Sequence, residues 1–219
     1  DAGLWDLTVA TRFSVRTLAF SLDAGLRQSA INVFSSGEYN DCAVLGGSVV
    51  AQSYLGNTEP LLLLDRANAL MQQSSTPTLF WGWTMTSNPS HQVVFAAGAP
   101  GFAVLSLSMS GALVKREFST ASVSPGAFRD STIITQGASE FAWAVFSDCQ
   151  IDVFNLDDPT SPVLVRSARL PVGSFAGECY SIRVEPSTDT GLIASNAGTF
   201  LVFRPSALPI ASVQYPAVP

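Results

Sequence analysis

Read by its apolar and polar positions, the chain repeats one phrase five times. An apolar strand is followed by a tight turn, a second apolar strand, another turn and a more polar strand. The opening strands fall at Trp5–Ala10, Ser48–Gln52, His91–Ala96, Phe141–Phe146 and Gly191–Ser195. Their partners fall at Phe13–Phe20, Leu61–Leu64, Phe102–Leu107, Ile151–Phe154 and Thr199–Phe203. Third strands follow at Leu26–Phe34, Ala69–Gln73, Ala112–Phe118, Val163–Arg169 and Pro209–Gln214. Short apolar segments at Asp41–Leu45, Leu79–Met85, Ser131–Thr135 and Tyr180–Val184 precede four of the openings and bring the unit to four strands. A period of roughly 40 to 50 residues made only of short strands is the mark of a repeated sheet, and four strands is the content of a propeller blade. The pattern predicts an all-β, β-propeller-like fold of about five blades, each of three to four antiparallel strands. A single domain spans residues 1–219, with units at approximately 1–37, 38–77, 78–124, 125–174 and 175–219. A β-sandwich is the alternative.

Turn chemistry agrees with the pattern. Asp157-Asp158-Pro159 and Ala99-Pro100-Gly101 are hairpin punctuation, proline setting φ and glycine tolerating its positive values. The partner strands are the most continuously apolar, as expected of strands buried on both faces. The third strands carry Arg27, Lys115-Arg116-Glu117, Arg166 and Arg169, charges that discourage edge-to-edge aggregation on an outermost strand. The count is uneven, however, because four innermost segments serve five units. Three explanations stay open: a shifted phase that makes the absent strand an outer one, a longer propeller of which this is a part, or a strand supplied by a neighbouring molecule. Pro216 and Pro219 make the terminal residues a poor candidate for the missing strand.

The fourth unit, from Phe141 through Asn155-Leu156-Asp157-Asp158-Pro159 to Pro162-Val163-Leu164-Val165, resembles the LVIVD-type propeller repeat over residues 139–170. In that family a strand ending in Asp leads into an Asp-Pro-x-x-Pro turn and a Pro-Val-Leu-Val strand. Asp65 keeps the strand-end acid, whereas the second, third and fifth units lack the double-proline turn. The resemblance implies a propeller and implies no catalytic activity.

Composition narrows the function classes. Charged residues make up only 13% of the chain and hydrophobic ones 47%, with a mean hydropathy of +0.30. Ser and Thr take the surface role that charge usually plays, or other subunits cover part of the surface. The net charge is −6, and the cations are Lys115 and ten scattered arginines. A nucleic-acid partner needs clustered cations, so that class is disfavoured. No apolar run reaches the length of a membrane-spanning helix. The Asp1-Ala-Gly start fits a processed chain or an excised fragment, and one lysine, abundant Ser and Thr and few charges fit an extracellular protein better than a cytosolic one. Self-association or another protein is the expected partner, with carbohydrate as a further possibility.

Candidate chemistry is sparse. Three cysteines leave one odd, and the blade pattern puts Cys149 in a turn and Cys179 at the start of the next innermost strand. Both fall on the same face, so a disulfide closing a short loop is expected to add about 3 kcal/mol. Three free thiols are the alternative. The lone His91 opens a strand after a turn, which leaves no two-histidine metal site, and no Gly-x-Ser-x-Gly elbow surrounds a serine. Paired carboxylates remain the enzyme route that needs neither His nor Lys. The candidates are Asp148 with Asp152, Asp157 with Asp158, and Glu178 with Glu185, each of which also reads as a structural or turn residue. Trp81 and Trp83 alternate on one strand and share a face, a geometry suited to stacking on a sugar, though aromatics also fill the space between blades. The expectation is a non-enzymatic extracellular structural or interaction protein without cofactor or metal, with self-assembly by strand donation as one form of it. The alternative is a ligand-binding or carboxylate-dependent site at the central channel.

Overall fold

The structure, a computed structural model, describes residues 5–11, 14–21, 25–33, 38–54, 61–77, 81–88, 90, 92–99, 101–119, 128–171 and 177–214. Nineteen strands and two 3-10 turns, with no α-helix, occupy these residues. The first sheet is β1 (Trp5–Thr11), β2 (Ser14–Ser21) and β3 (Gly25–Val33), and the second is β4 (Glu38–Leu45), β5 (Ser48–Tyr54), β6 (Leu61–Asp65) and β7 (Met71–Thr76). The third is β8 (Trp81–Ser87), β9 (Val94–Ala99), β10 (Gly101–Leu107) and β11 (Leu113–Ser119). The fourth is built from β12 (Phe128–Gln136), β13 (Ser139–Phe146), β14 (Gln150–Asn155) and β15 (Val163–Arg169). The fifth is β16 (Cys179–Glu185), β17 (Thr190–Ser195) and β18 (Phe200–Phe203), after which β19 (Ile210–Gln214) returns to the free edge of β15. All pairings are antiparallel meanders, as blades of a propeller are.

The apolar pattern explains how the sheets stack. Along β6, Leu61 and Leu63 face the third sheet while Leu62 and Leu64 face the first. Val50 and its neighbours Val49 and Ala51 divide the same way on β5. The layer between the third and fourth sheets is aromatic, with Phe95, Phe102, Phe118, Phe128, Phe146 and Phe154 fully buried. Ring centroids there lie 4.1 to 6.5 Å apart, and all but the closest pair, Phe128 with Phe146, fall in the range of favourable aromatic pairs. Trp143, Ile151, Ile182, Ile193 and Phe203 fill the layer between the fourth and fifth sheets. The central strands of the second, third and fourth sheets thus have two buried faces, which is why they read as continuous apolar runs.

Two features of the sequence reading change. The inner strands are β1, β4, β8, β12 and β16, each packed beside the next, so β1 holds the innermost position and is not an opening second strand. The strand that the first sheet lacks among the described residues is therefore an outer one. Half-buried apolar strands look alike in either place, which is why the pattern did not separate them. The second difference is β19, the expected outer strand of the fifth unit, which joins the fourth sheet. Pro205 ends β18, and the carboxylate of Asp189 accepts from the amide and hydroxyl of Ser206. Arg166 donates to the carbonyls of Ser206 and Leu208, and Leu208 is buried against Trp143 and its neighbours. These contacts carry the chain back to β15.

Cys149 and Cys179 form a disulfide with Cα atoms 5.1 Å apart. Cys149 takes a positive φ of 63° in the β13–β14 turn, where its amide donates to the Phe146 carbonyl. Cys179 begins β16 and donates its own amide to Ser147. The bond therefore staples the fourth sheet to the fifth beside their shared apolar layer. Loop closure over 30 residues is worth about 3.6 kcal/mol in the chain-entropy account. The double variant C149S/C179S is expected to lose about that much in urea unfolding, with the loss carried by hydrogen-exchange protection in β16–β18.

Candidate functional site

Four consecutive inner strands break register at the same place. The shifts fall between Tyr39 and Asp41 on β4, Gly82 and Thr84 on β8, Phe128 and Asp130 on β12, and Cys179 and Ser181 on β16. A bulge leaves one residue unpaired and turns the neighbouring side chains out of the ladder. Repeated on adjacent blades, it aims Asp41, Thr84, Asp130 and Ser181 at one another around the end where the inner strands begin. They line a cleft of about 350 Å³ together with Arg129, Tyr180 and Arg183.

Asp130 is the hub of this cleft. One carboxylate oxygen accepts from Ser181 Oγ at 2.6 Å, from the Ile182 amide at 3.0 Å and from Arg183 Nη1 at 2.8 Å. The other accepts from the Ser131 amide at 2.8 Å and Thr84 Oγ1 at 3.4 Å. Asp41 repeats the arrangement one blade pair earlier, accepting from its neighbour Cys42 and from the Met85 amide of the next blade, each at 2.7 Å. Burial pushes the Asp41 carboxyl up, against the pull of those two amides, and the charge of Asp130 adds to the rise. Both aspartates are latches between blades as well as walls of the cleft. Asp130→Ala is expected to cost about 2 to 4 kcal/mol, because it orphans the Ile182 amide and a cluster of polar partners; urea unfolding together with exchange of the Ile182 amide checks it.

The rim offers groups that are less committed. The Tyr180 side chain is half exposed, and the Arg129 guanidinium lies 6.0 Å from its ring centroid, a cation–π distance. Arg129 also pairs with Glu178 at 2.6 Å. Arg183 is anchored by one nitrogen to Asp130 and leaves the rest of its fork in solvent, its side chain 67% exposed. An aromatic side chain and two guanidiniums lining one cleft with two carboxylates can hold a ligand rich in hydroxyl groups by stacking and bidentate hydrogen bonds.

The residues singled out from sequence are mostly elsewhere. The side chains of Trp81 and Trp83, and all of His91, lie outside the described residues. Trp143 is buried between the fourth and fifth sheets, its ring 6.4 Å from Phe203. Glu178 reaches the cleft through Arg129, whereas Glu185 sits at the far end of β16 and caps the turn at Ser187. Asp157 accepts from Glu140 and Ser139 and Asp158 from Thr160, bonds that hold both carboxyls below their ordinary value in an exposed turn. Asp148 pairs with Arg169. Cys42 keeps a thiol that burial pushes up to about 12, which leaves it unreactive. Among the described residues no group of three His, Cys, Asp or Glu is placed to hold a metal. Sequence reasoning missed the cleft, although Asn40-Asp41-Cys42 and Arg129-Asp130-Ser131 mark it as acids followed by a small polar residue on two inner strands.

Asp152 lies in the fourth sheet, fully buried, with one oxygen bonded to Gln150 and Ser167 and the other without a partner among the described residues. Burial pushes its carboxyl up. A group that binds its proton more tightly when folded loses stability as the pH rises from the ordinary 3.8 through the raised folded value, and the loss is complete above it. Asp152→Asn is therefore expected to raise the urea midpoint at pH 7, with an advantage over the parent that shrinks towards pH 4.

Comparison with known proteins places the fold. No family model matches the chain, that of the LVIVD-type repeat included, and no curated protein matches it. Solved structures do. A protein of unknown function from Desulfotomaculum acetoxidans is similar at a TM-score of 0.69 and 14% identity, over 95% of this chain and 64% of its own. A Bacteroides fragilis protein named for 6-phosphogluconolactonase activity gives 0.67 and 14%, over 99% of this chain and 67% of its own. The β-propeller domain of Cps50 (Swd1) from Myceliophteria thermophila gives 0.58 and 10%, over 95% and 73%. The chain thus spans about two thirds of the length of the first of these structures, and what it shares with all three is the propeller fold.

Proposed function

We propose that this chain is a secreted, non-enzymatic binding propeller that takes a carbohydrate, or a similarly hydroxyl-rich small molecule, in the inner-strand cleft. The observation that carries the reading is one cleft lined together by the Tyr180 ring, the Arg129 and Arg183 guanidiniums and the carboxylates of Asp41 and Asp130. Its volume of about 350 Å³ suits a small ligand and not a polymer threaded through the ring. The absence of enzymatic work is supported by how the carboxylates are used. Asp130 already accepts from five donors, and Asp41 is tied to two backbone amides, so neither is free to attack or to relay a proton. The lactonase name belongs to a neighbour of 14% identity and carries the fold alone. Secretion is supported by the disulfide, which persists in an oxidising compartment, and by a surface with one lysine.

Saturation-transfer NMR against a panel of neutral hexoses and sugar acids tests the reading, followed by calorimetry on the best binder. Tyr180→Ala and Arg183→Ala are each expected to weaken that binding at least about tenfold, roughly 1.4 kcal/mol. A protein that binds none of the panel at millimolar concentration, or whose binding survives both substitutions, defeats it.

A further inference from the structure

The outermost strands of the sheets are unequal. On the second sheet β7 runs Met71-Gln-Gln-Ser-Ser-Thr76, and on the third β11 carries Lys115, Arg116 and Glu117. Polar and charged edges of this kind resist pairing with another chain. On the fifth sheet β18 reads Phe200-Leu-Val-Phe203, with no polar side chain, and among the described residues nothing pairs with its outer edge because β19 has left for the fourth sheet. Leu201 and Phe203 turn inward to the layer shared with the fourth sheet. Phe200 and Val202 turn the other way and are 68% and 69% exposed. The register Leu192↔Val202 and Ala194↔Phe200 sets Leu192, itself 38% exposed, into the same apolar patch.

We infer that β18 is a dimerisation edge that pairs antiparallel with β18 of a second copy of this chain, centred on Leu201. Opposed residues of an antiparallel pair must share a face, so a two-fold axis has to pass through a residue and not between two. Centring on Leu201 sets Phe200 against Val202 of the other copy, and Val202 against its Phe200, while the buried rows stay buried. Aromatic with β-branched is a favourable cross-strand pair, here formed twice. No charge on β18 opposes the approach of two chains of net charge −6. The result is a continuous six-stranded sheet and a closed, isologous dimer, not a filament.

Area sets its strength. The exposed parts of Phe200, Val202 and Leu192 with the strand edge come to roughly 300 Å² per copy, about half of the ~1,200 Å² total at which stable interfaces begin. The dimer is accordingly weak and concentration-dependent. Sedimentation velocity across roughly 10 to 500 µM is expected to show mass rising from 23.1 kDa towards twice that value, with amide protection at Phe200–Phe203 rising in step. Val202→Lys replaces an exposed side chain and is expected to raise the dissociation constant at least about tenfold with the thermal transition unmoved. Ser75→Lys, the same charge change on the exposed β7 edge, is expected to leave association intact. A parent that stays monomeric throughout overturns the inference, as does a dimer that survives Val202→Lys or an assembly that grows past two copies.

Discussion

Everything in this fold depends on apolar layers that lie between sheets and not within any one of them. The four clusters of buried side chains each join two consecutive sheets, and none belongs to one sheet alone. A three- or four-stranded sheet has two faces to hide, and among the described residues no α-helix covers either. The second, third and fourth sheets solve this by being sandwiched. The fifth is covered on the side of Trp143 and Val145, and the first on the side of Val49 and Ala51. Stability then behaves as a sum over neighbouring pairs, as in other repeat proteins. The staple between Cys149 and Cys179 sits at one such junction, beside a layer that is aliphatic and sparser in aromatics than the one between the third and fourth sheets.

How much of this was legible follows from the same constraint. Continuous apolar runs such as Leu61–Leu64 announce a strand hidden on both faces, and their recurrence gives the number of sheets. The pairing of Cys149 with Cys179 was likewise open to a reader who knew which turns share a face. Phase was not legible, because β1 carries a half-buried pattern, Thr8 to Ala10, that suits a first or a second strand equally. The return of β19 was hidden for a different reason. It is decided by the bonds of Arg166 and Asp189 to Ser206 and Leu208, contacts between residues 17 to 42 positions apart that no local period records. The cleft escaped notice because bulges are invisible to a period of two. Asn40, Trp83, Arg129 and Tyr180, the extra residues, share no side-chain chemistry; only the residues that follow them do.

The bulges bear on what the cleft is for. A bulge on one inner strand is a local accommodation, but four in register on adjacent blades form a row of side chains freed from the ladder. Two of the four, Asp41 and Asp130, spend that freedom on the amides of the next blade, which fixes the spacing of the inner strands. Thr84 and Ser181 then bond to Asp130 from either side. Both oxygens of each carboxylate in the cleft are thereby hydrogen-bonded, and a ligand resting on them has no orphaned carboxylate oxygen to satisfy. The rim is another matter, since Tyr180 and Arg183 are largely in solvent and make few bonds that a ligand would have to break. A preorganised floor under an available aromatic and guanidinium rim lowers the ordering cost of recognition. That fits the binding role proposed above better than covalent chemistry, in which a carboxylate changes its proton or its partner during the reaction.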